Sequence, residues 1–136
     1  MSDILFSVQQ AVFNALSESA EVQSALGAAP QLYDHVPPQA TFPYVVYGPA
    51  HIVPYDTKTE TGFEQIITLN IWSRYRGGNE TREIFQALYD VLHRATLNVT
   101  GQVFLSSEFH SADFSLDADG LTYYAAVQFS ILTQSA

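Results

Sequence analysis

The chain contains no cysteine, which excludes a disulfide framework, a thiolate zinc site and a cysteine nucleophile together. Positive charge is scarce as well: five Lys and Arg stand against fourteen Asp and Glu, for a formal net charge of −9. A sequence-independent grip on phosphates needs clustered basic residues, so stable nucleic-acid binding is disfavoured. Charge of either sign makes up only 14% of the residues, against about 25% in ordinary globular domains. With 47% hydrophobic residues, such a low-charge chain points either to subunit contacts or to a compact monomer with a Ser/Thr/Gln surface. No apolar run approaches the ~20 residues that span a bilayer, and no basic region followed by an apolar stretch opens the chain. Neither membrane insertion nor secretion is expected, and cytoplasmic synthesis is the simplest reading. The 136 residues fit one domain, 1–136, large enough to bury roughly two-thirds of its unfolded surface without a staple.

What is present is clearest between Tyr33 and Gly48. Pro37 and Pro38 fix φ and push their predecessors out of the helical region, so the chain arrives extended. Pro43 then suits a strand start before Tyr44, Val45, Val46 and Tyr47. Upstream, Ser2 or Asp3 can cap a helix carrying Ile4, Leu5, Val8, Val12 and Leu16 at helical spacing, and Ser19 can cap a short turn that stops at Gly27. Residues 48–62 have Pro49, Pro54 and several charges but no periodicity, and read as a long loop. From Phe63 the alternation Phe63, Ile67, Leu69, Ile71 marks a strand. Gly77 and Gly78 end it, and Asn79 is placed to cap a helix with Ile84, Leu88, Val91, Leu92 and Ala95 on its buried stripe. Residues 103–115 and 121–133 read as two long strands joined by the turn Asp117 to Gly120.

The expected architecture is therefore α+β: an antiparallel-rich sheet of about four strands with two main helices packed on one face, in the order α-β-β-α-β-β. Strands of a dozen residues reach about 40 Å, so an end of the hairpin can project beyond the helix-covered core.

Catalytic and metal signatures are weak. His35, His51, His93 and His110 have no carboxylate or second His at a ligand spacing. His93 suits a helix C-terminus as a cation, and His35 sits in a turn beside Asp34. There is no nucleophile elbow, and Gly77-Gly78 leads into Asn79, Glu80, Thr81 and Arg82 rather than a phosphate-binding Lys-Ser/Thr. Glu108, Asp113, Asp117 and Asp119 lack the remaining ligand positions of a calcium loop, and turn chemistry accounts for the last two. Eight tyrosines could stack on bases, but without a basic groove they fit core packing or a protein interface better.

The Tyr33–Asp34, Pro37 and Phe42–Val46 segment, the Thr68–Arg76 strand with Trp72-Ser73-Arg74, the Asn79–Arg94 helix and the Asp117–Thr133 hairpin occur in an order that resembles the tail-terminator, or tail-completion (tail-to-head joining), proteins of long-tailed bacteriophages and gene-transfer agents. The acidic, tyrosine-containing 49–62 loop departs from that pattern. The resemblance implies a non-enzymatic virion protein without cofactor or metal, made in the host cytoplasm and located at the head-proximal end of the tail. It implies a homohexameric ring that caps the finished tube, stops its polymerisation and offers a joining surface. Its partners would be the major tail-tube protein and a head-completion (stopper) protein, with DNA only in transit. Within that reading the 49–62 loop and the 116–120 turn are candidate interfaces, through Tyr55, Asp56, Lys58, Asp117 and Asp119. Two alternatives are a small-molecule-binding or enzymatic domain with a Tyr/His pocket, and a head-completion adaptor.

Overall fold

The computed structural model describes residues 4–27, 31–38, 40–74 and 78–135. Helix α1 (Ile4–Ser17) and the short α2 (Ala20–Ala25) are followed by β1 (Leu32–Tyr33), β2 (Tyr44–Tyr47), β3 (His51–Pro54) and β4 (Gly62–Ser73). Helix α3 (Asn79–Leu92) then leads to β5 (Gln102–Leu116) and β6 (Tyr123–Ser135).

The sheet corrects the expectation of four antiparallel strands and two helices: it has six strands, ordered β1-β2-β4-β6-β5 with β3 also on β4, and it is mixed. Its parallel pair is Leu32 against Val45 and Tyr33 against Val46. Strand β1 is two residues long, too short for any alternation to show. Strand β3 ends in Pro54 and lies inside the stretch read as a loop, yet it pairs His51–Pro54 with Phe63–Ile66. The true loop is therefore 55–61.

Register explains the core. Val45, Ile71 and Ala125 are aligned across β2, β4 and β6, and Leu69 faces Val127, Ile67 faces Phe129 and Gln65 faces Ile131. These side chains share one face, and all are buried with Val8, Val12 and Leu16 of α1 and Ile84, Leu88 and Leu92 of α3. The expected stripe of α1 holds except at Leu5, which is exposed. On the opposite face a polar ladder runs across three strands: Ser111 Oγ donates to Gln128 Oε1 (3.0 Å), and Gln128 Nε2 donates to Thr68 Oγ1 (3.3 Å). Trp72 and Tyr124 stack there with ring centroids 4.9 Å apart.

Helix ends follow capping chemistry only in part. Ser19 caps α2, its Oγ accepting from the Val22 N–H at 3.3 Å. The proposed caps of α1, Ser2 and Asp3, lie outside the described residues, as do Gly77 and the Tyr75–Arg76 end of the expected strand. Helix α3 is corrected by one position: its N-cap is Gly78 at φ 69°, and Asn79 is already helical. No side chain caps it. At the other end His93 Nδ1 accepts the Phe109 N–H at 3.1 Å. The Arg94 N–H donates to the Ser107 carbonyl at 2.7 Å. Both bonds close off the outer edge of β5 at mid-strand, where it would otherwise offer unpaired backbone.

Candidate functional site

The residues singled out from the sequence fall in two places. Tyr55, Asp56 and Lys58 are exposed in the loop joining β3 to β4, and Asp117 and Asp119 are exposed in the turn joining β5 to β6. Because Gly62 pairs with Gln134 and Ser73 with Tyr123, the loop and the turn sit at opposite ends of the sheet. The fold does not bring the two groups together. Twelve residues of β4 separate them, roughly 40 Å at ~3.3 Å per residue.

Each end has a defined local structure. In the loop, Asp56 Oδ1 accepts the Gly62 N–H at 3.2 Å, and the Glu60 N–H donates to Thr57 Oγ1 at 3.0 Å. Gly62 is required there, since a Cβ would stand 2.5 Å from the Tyr55 carbonyl oxygen. In the turn, the Asp119 carboxylate accepts the N–H groups of Leu121 (2.8 Å) and Thr122 (2.9 Å) and the Thr122 hydroxyl (2.7 Å). These bonds, the Leu121 N–H first, with the nearby Arg74 guanidinium, hold its carboxyl below the usual carboxylate range. Arg74 secures the root of the hairpin. Its Nε donates to Thr122 Oγ1 (3.1 Å), Nη2 lies 3.7 Å from Asp119, and the guanidinium sits 4.7 Å over the Phe42 ring.

The exposed large apolar side chains, of which the sequence reading offered only Tyr55 as an interface residue, fall toward the same two ends. Tyr55, Val103 and Leu105 lie toward the Gly62 end, with Leu5 and Phe6 at the start of α1, where the Ile4 carbonyl accepts from Gln65 Nε2, and Phe114, Leu116 and Leu121 lie toward the turn. At the turn end, Gly78, Thr81 and Arg82 of the α3 entry meet Phe114, Ser115, Leu116, Tyr123 and Tyr124 around a cleft of about 200 Å³. Thr81 is 2% exposed, and its Oγ1 is buried without a partner. The sequence signal for this patch was the apolar alternation of β5 toward the turn, where Phe114 still meets Phe85 of α3 with ring centroids 5.5 Å apart.

Chemistry of other kinds finds little support in the geometry. A concavity of about 570 Å³ is an open groove between α2 and α3 lined by Glu21, Glu83 and Asp90 with Ala20, Ala25 and Ala87. Among the described residues no three His, Asp or Glu side chains are grouped as metal ligands. Glu108 lies 3.6 Å from Arg94. Among the described residues no helix is long and apolar enough to cross a membrane. Tyr33, Tyr44 and Tyr89 pack edge-on or stacked against other rings. The Tyr47 hydroxyl is buried, and burial first, then the Asp34 charge, pushes its ionisation upward.

The fold superposes on that of a chain from the virion of a native gene transfer agent particle with a TM-score of 0.89, covering 99% of this chain and 100% of that one. Identity is 20%, so the likeness is one of fold. No curated protein matches the chain. The family is established by sequence, since residues 10–134 match the model of "Tail completion protein gp17", and the chain belongs to that family. It is thus a structural protein of a phage-type tail and a component of the virion, as the resemblance implied.

Proposed function

We propose that this chain, acting as a single domain of residues 1–136, forms a homohexameric ring on the finished tail tube. The ring stops further polymerisation and presents the head-joining surface, without catalysing a reaction. One ring face meets the major tail-tube protein and the other a head-completion (stopper) protein, while DNA passes through the lumen. The particle is a bacteriophage or a gene-transfer agent. The observation that carries the reading is the division of exposed apolar side chains between two opposite ends of the sheet, in a member of a tail-completion family. A subunit with two unlike sticky ends associates head to tail, and such heterologous contacts close into rings when the rotation permits. Six modest contacts engaged together then hold firmly on a six-fold tube. The net charge of −9 favours a lumen to which DNA does not adhere.

The test is to incubate the purified protein with isolated tail tubes and image them by negative-stain electron microscopy. A six-fold density confined to one end of each tube is the expected result. Bare tube ends, with the protein found instead on isolated heads, would replace this reading with that of a head-completion adaptor.

A further inference from the structure

We propose that the cleft at the root of the β5–β6 hairpin receives the 55–61 loop of a second copy of this chain. The inference rests on the ring reading only in requiring neighbouring copies. Four observations lead to it. The cleft, about 200 Å³, is smaller than the ~300–1,000 Å³ of small-molecule sites and suits one or two protein side chains. Its apolar wall, Phe114 and Leu116, is exposed in the free subunit. Its polar side is the positive end of the 14-residue α3, uncapped by any side chain, with the exposed Arg82 alongside and the buried, unpartnered Thr81 hydroxyl in the lining. The carboxylates nearest that helix end are already occupied: Glu80 accepts the Ser73 hydroxyl at 2.7 Å, and Asp119 is held by Leu121, Thr122 and Arg74. Arg82 Nη2 donates to the Asn79 side-chain oxygen in the same helix turn, so what the site lacks is a partner for the buried Thr81 hydroxyl and a further acceptor for the guanidinium beside the apolar wall.

The 55–61 loop supplies that combination. Tyr55 offers an exposed ring, and Glu60 an exposed carboxylate. The loop stands at the opposite end of the sheet from the cleft, so it cannot fill the cleft of its own chain. Insertion of Tyr55 against Phe114 and Leu116, with Glu60 facing Arg82 and Thr81, joins copies head to tail. An isologous antiparallel pair would match both loops with both clefts and stop at two copies, whereas the head-to-tail contact leaves one loop and one cleft open on each pair for the next copy, as a ring requires.

The chain has no cysteine, so Lys58→Cys carries a single benzophenone-maleimide label at the loop tip without touching the proposed contacts. Irradiation in solution and on tail tubes, followed by mass-spectrometric mapping, should give adducts on residues 78–82 or 114–124 of a second copy. Arg82→Glu should abolish them, and Arg82→Glu with Glu60→Arg should restore them, with the thermal melts of all variants unchanged. Adducts elsewhere on the second copy, on a tube subunit or head protein, or on nothing in either setting, overturn the proposal. End density on tubes without the mapped adduct sinks this contact and leaves the capping reading intact. The mapped adduct beside bare tubes does the reverse.

Discussion

The β5–β6 hairpin changes character along its length. At the level of Phe109 and Phe129 it lies under α3: the Phe109 ring is 5.9 Å from Phe129, 5.7 Å from Phe85 and 5.5 Å from Tyr89. A few residues further on, Leu116 faces Tyr123 and is largely exposed, as is Leu121 at 63%. Both stretches carry the same apolar alternation on the same face. What differs is cover. Fourteen residues of helix reach about 21 Å at ~1.5 Å per residue. Fifteen residues of strand reach about 50 Å at ~3.3 Å per residue. Alternation decides which face is apolar, whereas the shorter α3, whose first turn only flanks Leu116 while its Phe85 still meets Phe114 at 5.5 Å, decides how much of that face is left for a partner.

The largest effect should come from breaking the covered stretch. Phe129→Ala opens a cavity where burial is complete, and a loss of about 3–5 kcal/mol in urea-monitored unfolding is expected. A change below ~1 kcal/mol would show that the middle of the hairpin is no better packed than its end.

A smaller effect is expected at the boundary between the stretches. Arg74→Ala removes the contacts to Phe42, Thr122 and Asp119, all at a half-exposed side chain, and should destabilise by about 1 kcal/mol. Hydrogen exchange should rise at the Leu121 and Thr122 amides and stay unchanged at Phe129. Equal acceleration at all three would mean that the projecting end has no independent anchor.

The smallest effect concerns the turn alone. The folded-state carboxyl of Asp119 lies below its ordinary value of 3.8, so its contribution is fully present above that value and is lost as the pH falls through the lower folded one. A two-dimensional NMR titration should place the Asp119 midpoint below its ordinary value of 3.8. In Asp119→Asn the Thr122 amide should lose its acid-range shift.

Much of this fold is readable from residue order. The β4 and β6 faces follow from alternation, Ser19 from capping, and the 117–120 turn from its Asp and Gly. Strand β1 is missed because two residues cannot show a period, and its parallel partner lies across a crossover. Strand β3 is missed because Pro54 and its polar surroundings resemble a loop, although an edge position tolerates a proline. For the candidate surfaces, the exposed loop and turn were legible as punctuation. The cleft was not, because Thr81 and Leu116 are brought together only when α3 settles against the hairpin.

One small detail near the end of α3 bears on how this protein can and cannot be multiplied. An unclosed strand margin is a template on which identical chains add without limit, in the manner of a fibril. Here the Arg94 N–H and the His93 imidazole occupy the middle of that margin. An incoming strand would have to displace two native bonds before gaining its own. Association by sheet extension is thereby discouraged over the centre of the longest strand, and what is left open are short, side-chain-lined ends suited to a finite count of neighbours.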